Sequence, residues 1–287
     1  MSPQRLPREH FVQRRGSRDL AANVTDLWAL GSTATLALPC VAVVGTRAAS
    51  AYGRRHARQI SAELAASGCC ILSGLALGID TEAHEGALEA GGATIGILGG
   101  GHNAFFPRQN RPLAARMIAA GGAVLSPFAP DCPPRPGQFL QRNGIVAALA
   151  DAVLVIEAPL RSGSLNTAGW AADRIPVLAL PGDADRRQSE GSHALIRDGA
   201  TLARNAGDVL EALGIAASDA RRAASPSKAA LSDLARSVLH ALRDGETGFD
   251  ALVSATRAQP HELLATLCEL ELSGFVAAIP GHAWVRV

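Results

Sequence analysis

Residues 73–101 read SGLALGIDTEAHEGALEAGGATIGILGGG. The stretch opens as a glycine-broken loop with Ser73, Gly74, Gly78 and Asp80. It passes into helical spacing of small apolar residues at Ala83, Ala87 and Leu88, then into an apolar strand over 94–98 that runs into three glycines. Loop, helix and buried strand in that order make one unit of an open α/β sheet. The two glycine-rich junctions let backbone approach a ligand closely, because glycine has no Cβ and tolerates positive φ. In doubly wound sheets, junctions at the carboxyl ends of strands form the ligand crevice. Functional residues are therefore expected on loops of this kind.

The same pattern extends to both sides. Short apolar runs at 41–44, 69–73, 94–98, 123–126, 152–156 and 177–180 alternate with helical stretches at 51–67, 81–90, 110–120, 138–149 and 164–173. Buried parallel strands read as continuous apolar runs, and βα alternation requires a mostly parallel sheet with right-handed crossovers. The first of these helices ends at Gly68, a suitable residue just past a helix C-terminus. The central α/β domain is assigned to residues 39–212. Residues 1–38 have weak periodicity and are read as a frayed, partly helical arm, with one helix around 25–30. Residues 213–230, rich in Ala and Ser with Pro226 and Lys228, read as a linker. Beyond it, helices at 231–243, 248–254 and 260–273 and strands at 275–279 and 283–287, joined by a Pro280-Gly281 turn, describe a winged helix. Its third helix, in QPHELLATLCELELSG, carries three glutamates and no Lys or Arg, so it is a poor DNA-groove reader. A protein-contact or regulatory role fits it better.

With 48% hydrophobic and 18% charged residues, and no apolar run near the roughly 18 residues of a membrane span, the chain reads as a soluble globular protein. Its basic first twenty residues lack the apolar core of a secretory signal. Five cysteines, Cys40, Cys69, Cys70, Cys132 and Cys268, form no C-x-x-C pair and are odd in number, which argues for a reducing cytoplasm and against a disulfide or zinc framework. Net charge is +1, but it is unevenly spread. Residues 41–60 carry Arg47, Arg54, Arg55 and Arg58 without an acid, and residues 101–147 carry five arginines against Asp131 alone. Residues 229–287 hold four arginines against seven acids. The basic footprint thus lies on the central domain. Lys228 is the only lysine, so anion contacts fall to arginine, backbone amides and hydroxyls.

Three stretches are candidate sites. The first is Gly45-Thr46-Arg47, which follows a strand and leads to a helix; free amides and the helix dipole make an anion site there, and Arg47 adds a bidentate fork. It lacks G-x-G-x-x-G, and no acid ends the second strand, so NAD is disfavoured. The second runs from Glu157 to Ala168 and holds Arg161, Ser162, Gly163, Ser164 and Thr167, an anion cradle whose serines serve equally as helix N-caps. The third is Phe139 with Arg142 and Asn143, where the ring either stacks a base or belongs to the core. His84 and His102 have no partner at metal spacing and are assigned surface or capping roles; no metal and no cofactor is expected. No Ser-His-Asp order is visible.

Beyond these residues, GTRAASAYG, SGLALGIDTEAHEGAL, TIGILGGG, FPRQNRPLA, RNGIVAALADAVLVIEA, RSGSLNTA, ALPG and GSHALIRDGA stand in the order and spacing of the DNA-processing family DprA, also called Smf. The chain resembles that family over residues 40–205, and its tail resembles the winged helix many members carry. The resemblance implies an extended Rossmann-like, doubly wound fold that binds single-stranded DNA, protects incoming DNA in natural transformation and helps load the RecA recombinase, as a dimer and without catalysis. It implies DNA contacts at Gly45, Thr46, Arg47, Ser73, Gly74, Phe139, Arg142, Asn143, Arg161, Ser162, Gly163, Ser164 and Thr167. Three positions depart from the family pattern: Thr46 replaces the serine of G-S-R, Leu77 an arginine, and Gly144 the second arginine of R-N-R. The rival is a nucleoside-monophosphate phosphoribohydrolase-like enzyme of related fold. RSGSLNTAGW lacks the glutamate such enzymes use, which leaves Glu157 and Asp80 as the carboxylates near the crevice.

Overall fold

The structure is a computed structural model that describes residues 2–15, 25–215, 232–242, 247–272, 275–279 and 283–286. It divides into two compact units, Met1–Ala224 and Ser225–Val287.

The first unit is built on a nine-stranded sheet. Its strands are β1 (Gln4–Leu6), β2 (Leu27–Gly31), β3 (Cys40–Val44), β4 (Cys70–Ser73), β5 (Thr94–Ile97), β6 (Ala123–Ser126), β7 (Ala152–Val155), β8 (Val177–Ala179) and β9 (Thr201–Leu202), in the order β1-β2-β6-β5-β4-β3-β7-β8-β9. From β6 to β9 every neighbouring pair is parallel. The crossover helices are α2 (Ala51–Ala66), α3 (Ile79–Glu89), α4 (Arg111–Ala119), α5 (Pro136–Leu149), α6 (Gly163–Ala171) and α7 (Glu190–Arg197), after an N-terminal α1 (Arg8–Arg15) and before α8 (Ala206–Ala212). Helices α2, α3 and α8 pack on one sheet face with Val41, Val43 and Ile71, while α5 and α6 pack on the other with Cys40, Ala42 and Val44. Burial on both faces explains why CVAVV shows no polar alternation. Strand order reverses between β3 and β7, where the sheet steps left through β4, β5 and β6 and then right through β8 and β9.

The central helices end as their glycines suggest. At the end of α2, Gly68 sits at φ +84°, its N–H donates to the Ala65 carbonyl and the Cys69 N–H to the Leu64 carbonyl, a Schellman closure. The helices before Gly91 and Gly121 close in the same way.

The N-terminal segment departs from its sequence reading. Residues around 25–30 form not a helix but β2, which lies antiparallel between β1 and β6. Leu27 and Ala29 are buried and alternate with half-exposed Trp28 and Leu30, a period of two that so short a run does not distinguish from a helical turn. Nor is the arm frayed over its described residues: Phe11 of α1 is fully buried in the core shared with β2 and β3, and residues 2–15 and 25–38 belong to the central unit. The proposed linker ends in residues 216–231, outside the described ones, and the boundary between units falls within it, after Ala224. Elements α7, β9 and α8 complete the unit beyond the strands the sequence pattern marked.

The second unit contains α9 (Asp233–Ala241), β10 (Thr247–Gly248), α10 (Phe249–Thr256), α11 (Pro260–Leu272), β11 (Val276–Ile279) and β12 (Ala283–Arg286). The hairpin of β11 and β12 takes β10 as a third antiparallel strand, giving a winged helix; the Pro280-Gly281 turn lies outside the described residues. This unit has its own core of Val238, Leu252, Leu263, Leu267 and Trp284. Residues 1–224 made alone are therefore expected to melt cooperatively within about 3 °C of the same transition in the full chain, since 1 kcal/mol moves a domain of this size by roughly 2–4 °C. Calorimetry checks it.

Candidate nucleic-acid interface

A cleft of about 750 Å³ opens at the carboxyl edge of the sheet, where the loops after β3 and β7 part at the reversal of strand order. Its walls bring together Gly45, Thr46, Arg47, Gly74, Phe139, Arg142, Asn143, Arg161, Ser162, Gly163, Ser164 and Thr167. Of the residues singled out in the sequence, Ser73 alone is outside the lining. It ends β4, fully buried, and its hydroxyl donates to the Val43 carbonyl at 2.7 Å.

The loops fit because a glycine allows backbone to touch backbone. Gly78, at φ +81°, lies under the carbonyls of Thr46 and Arg47, where a Cβ would come within 2.5 and 2.6 Å of their oxygens. The Thr46 N–H donates to the Glu157 carbonyl at 2.7 Å, and its carbonyl accepts from Ile79 N–H, so β3, β4 and β7 loops are tied into one rim. On the far wall, Ser162 caps α6 by accepting from the Ser164 N–H. Asn143 donates from Nδ2 to the Gly163 carbonyl at 3.0 Å, which fixes α6 against α5. The cap and the cradle are one structure, and the N-terminus of α6 faces the cleft.

Three arginines differ sharply in setting. Arg47 and Arg161 are exposed, and neither makes an ion pair among the described residues. The Arg47 guanidinium lies 5.5 Å from the centre of the Phe139 ring, a cation–π distance. Arg142 is only 4% exposed and forms the floor; its Nη1 donates to the Ile97 carbonyl at 3.1 Å and its Nε has no partner. Burial lowers its pKa, Asp80 opposes that, and the Arg47 charge adds to the lowering. Asp80 is buried as well and accepts from the N–H groups of Gly74 and Ala76; burial raises its pKa while Arg142 pulls it back. Gly74 is required here, because a Cβ would stand 1.3 Å from Arg142 Nη1.

Phe139 is a wall residue, half-buried, packed over Gly99 and edge-to-face with Phe106 at 6.0 Å. Phe106, 47% exposed, was not singled out in the sequence, and Leu140, 52% exposed, fell within the third candidate stretch without a role of its own; both line the cleft. The FFP run beside a glycine-rich junction was the signal for Phe106.

The carboxylates do not support the hydrolase reading. Glu157 is 2% exposed and spent on α2: it accepts from the Ser50 N–H at 2.9 Å and from the Ser50 hydroxyl. The histidines are also not where the sequence put them. Both are buried rather than on the surface. His84 Nδ1 meets the Thr94 hydroxyl at 2.7 Å, and that hydroxyl donates to the Ile71 carbonyl, so Nδ1 carries the proton and Nε2 is bare. Among the described residues no cluster of His, Cys, Asp or Glu could hold a metal.

Comparison with known proteins gives the family. The family profile of DNA recombination-mediator protein A matches residues 14–214, and that of the DprA winged helix domain matches residues 222–282. This chain belongs to the DprA family. It is 40% identical over 253 residues to the protein Smf of Escherichia coli, covering 86% of this chain and 67% of that one. Among solved structures, DprA of Streptococcus pneumoniae superposes with a TM-score of 0.61 at 34% identity, over 72% of this chain and 78% of that one. DNA processing protein A of Helicobacter pylori, described for its single-stranded DNA binding mode, gives 0.63 at 30% identity, over 74% and 95%.

His84 supplies a test of the cleft's buried layer. Burial, helped by the nearby Arg142 charge, lowers its pKa to about 3. The unfolded chain takes up the proton first, near pH 6.5, so acid favours unfolding across the window between those values. This one group should cost about 2 kcal/mol of stability at pH 5. Urea denaturation at pH 7.5 and pH 5 is expected to show a loss that much larger in the parent than in His84→Gln; the comparison cancels Asp80, which acts with the opposite sign.

Proposed function

We propose that the cleft binds single-stranded DNA, and that the protein protects incoming DNA in natural transformation and loads RecA onto it, as a cytoplasmic homodimer and without catalytic turnover. The observation that carries this is the convergence of Arg47 and Arg161, both free of ion pairs among the described residues, with the Phe139 ring across glycines and hydroxyls at the strand-order reversal. Guanidiniums take the phosphates, the ring offers a stacking surface, and a crevice lined by glycines and hydroxyls suits a flexible strand better than a stiff duplex, whose grooves want a protruding helix or ribbon. The H. pylori relative's single-stranded DNA binding supports the ligand, and the family's description as recombination mediators supports the hand-over to a recombinase. Five free cysteines support a reducing compartment, and no described helix is long and apolar enough to cross a membrane.

Arg47→Ala and Arg161→Ala are each expected to weaken single-strand binding by about ten- to a hundred-fold, the range for a charge-assisted hydrogen bond. Each should also flatten the salt dependence by about 0.7 of a unit of slope. Arg116→Ala, on the last turn of α4 and already paired with Glu85, should change little. Fluorescence anisotropy with single- and double-stranded oligonucleotides decides it: equal competition by duplex, or an equal defect in the Arg116 variant, removes the cleft as the DNA site. Incubation with nucleoside monophosphates is expected to release no free base, and release that depends on Glu157 would restore the hydrolase reading.

A further inference from the structure

The loops after β5 and β6 both end at the carboxyl edge of the sheet, beside the cleft. Three arginines ride on them: Arg108 in a short 3-10 turn, Arg111 at the start of α4 and Arg135 immediately before α5. All three are exposed, and among the described residues none makes an ion pair. Asp131 is the only acid between residues 101 and 150, and its carboxylate accepts a hydrogen bond from Asn103 Nδ2 at 2.7 Å. Arg58 and Arg116, by contrast, are matched by glutamates.

The tract is continuous with the cleft. Phe106 lines the cleft and stands two residues before Arg108. The turn that carries Arg108 is fastened to the cleft's own rim, because Asn110 Nδ2 donates to the carbonyls of Leu75 at 2.9 Å and Ala76 at 3.1 Å. Arg135 is held by its N–H, which donates to Gln138 Oε1 at 2.6 Å. Strands β3, β4, β5 and β6 are successive neighbours, so the tract reaches about 14 Å from the β3 loop at ~4.8 Å per strand. Cations spread along an edge, with an exposed ring at one end, suit a polyanion with unstacked bases rather than a compact anion.

We propose that Phe106, Arg108, Arg111 and Arg135 form a second single-strand contact that carries DNA out of the cleft toward the β6 side. This rests on the cleft being the DNA site. The test uses the full chain, with labelled oligothymidylates of about 5 and about 20 nucleotides over a salt series, lengths chosen around known single-strand site sizes. The triple variant R108A/R111A/R135A is expected to bind the short oligomer within about twofold of the parent. On the long one it should lose about tenfold or more, with a salt slope flatter by about 2, three contacts at ~0.7 each. R108K/R111K/R135K should keep the parent slope. R54A/R55A/R187A, which removes the same charge from α2 and the loop after β8, should leave long-oligomer binding unchanged. An unchanged slope in the first variant, or an equal loss in the last, overturns the proposal. The two readings fail separately: Arg47→Ala and Arg161→Ala should weaken short and long oligomers alike, so full binding by those variants sinks the cleft itself, whereas failure of the tract leaves their defect intact.

Discussion

A guanidinium with 4% exposure under a polar cleft is the constraint around which this domain is arranged. Burying such a charge is costly unless nearby groups offset the lost hydration. Arg142 has one carbonyl, one nearby carboxylate and no Cβ above it, drawn from the ends of two neighbouring strands: Ile97 closes β5, while Gly74 and Asp80 both follow β4, Asp80 in the first turn of α3. The helix that carries Arg142 must therefore cross the sheet face beneath those strand ends, as α5 does between β6 and β7. That crossing reverses the strand order and opens the cleft. Electrostatic need and chain topology are satisfied by the same helix.

The positive floor also sets the character of the walls. With Arg142 already drawing on Asp80, the exposed guanidiniums of Arg47 and Arg161 are left without a carboxylate, since the other acid nearby, Glu157, is turned away to cap α2. The cleft thus keeps a net positive potential although the whole chain carries only +1. The winged-helix unit takes the opposite sign: Glu262, Glu269 and Glu271 are exposed on α11, where a DNA reader would present bases with arginine or lysine. The charge separation follows the domain boundary.

Much of this was legible in the sequence because buried parallel strands and glycine closures leave strong local marks. All six central strands and five crossover helices lie within a few residues of their expected places, and twelve of the thirteen proposed site residues line one cleft. What escaped was decided by partners distant in the chain. Residues 27–31 are a strand only because β6 offers an edge, and Phe11 is core only because β2 covers it. His84 looked like a surface or capping residue, yet its surroundings are set by Thr94, ten residues on, and by Arg142. Ser73 shares a motif with Gly74, yet it is the last residue of β4 and its hydroxyl is turned into the sheet, onto the Val43 carbonyl. Local pattern gives the frame; which face a side chain takes depends on the sheet that forms around it.

The exposed apolar residues fit the same logic. Of the eight large apolar side chains exposed among the described residues, Phe106 and Leu140 line the cleft, Leu77 lies beside it, and Leu160 stands between the lining residues Pro159 and Arg161; these four are between 40% and 58% exposed. Leaving them in water is unfavourable by roughly 25 cal/mol for each Å² of apolar surface, a cost that a bound, unstacked base would relieve and a phosphate would not. A duplex hides its bases and offers only its charged backbone and groove edges to such a rim. Under the proposed function, arginines without acids would attract either form of DNA, and the uncovered apolar rim would be what favours the single strand.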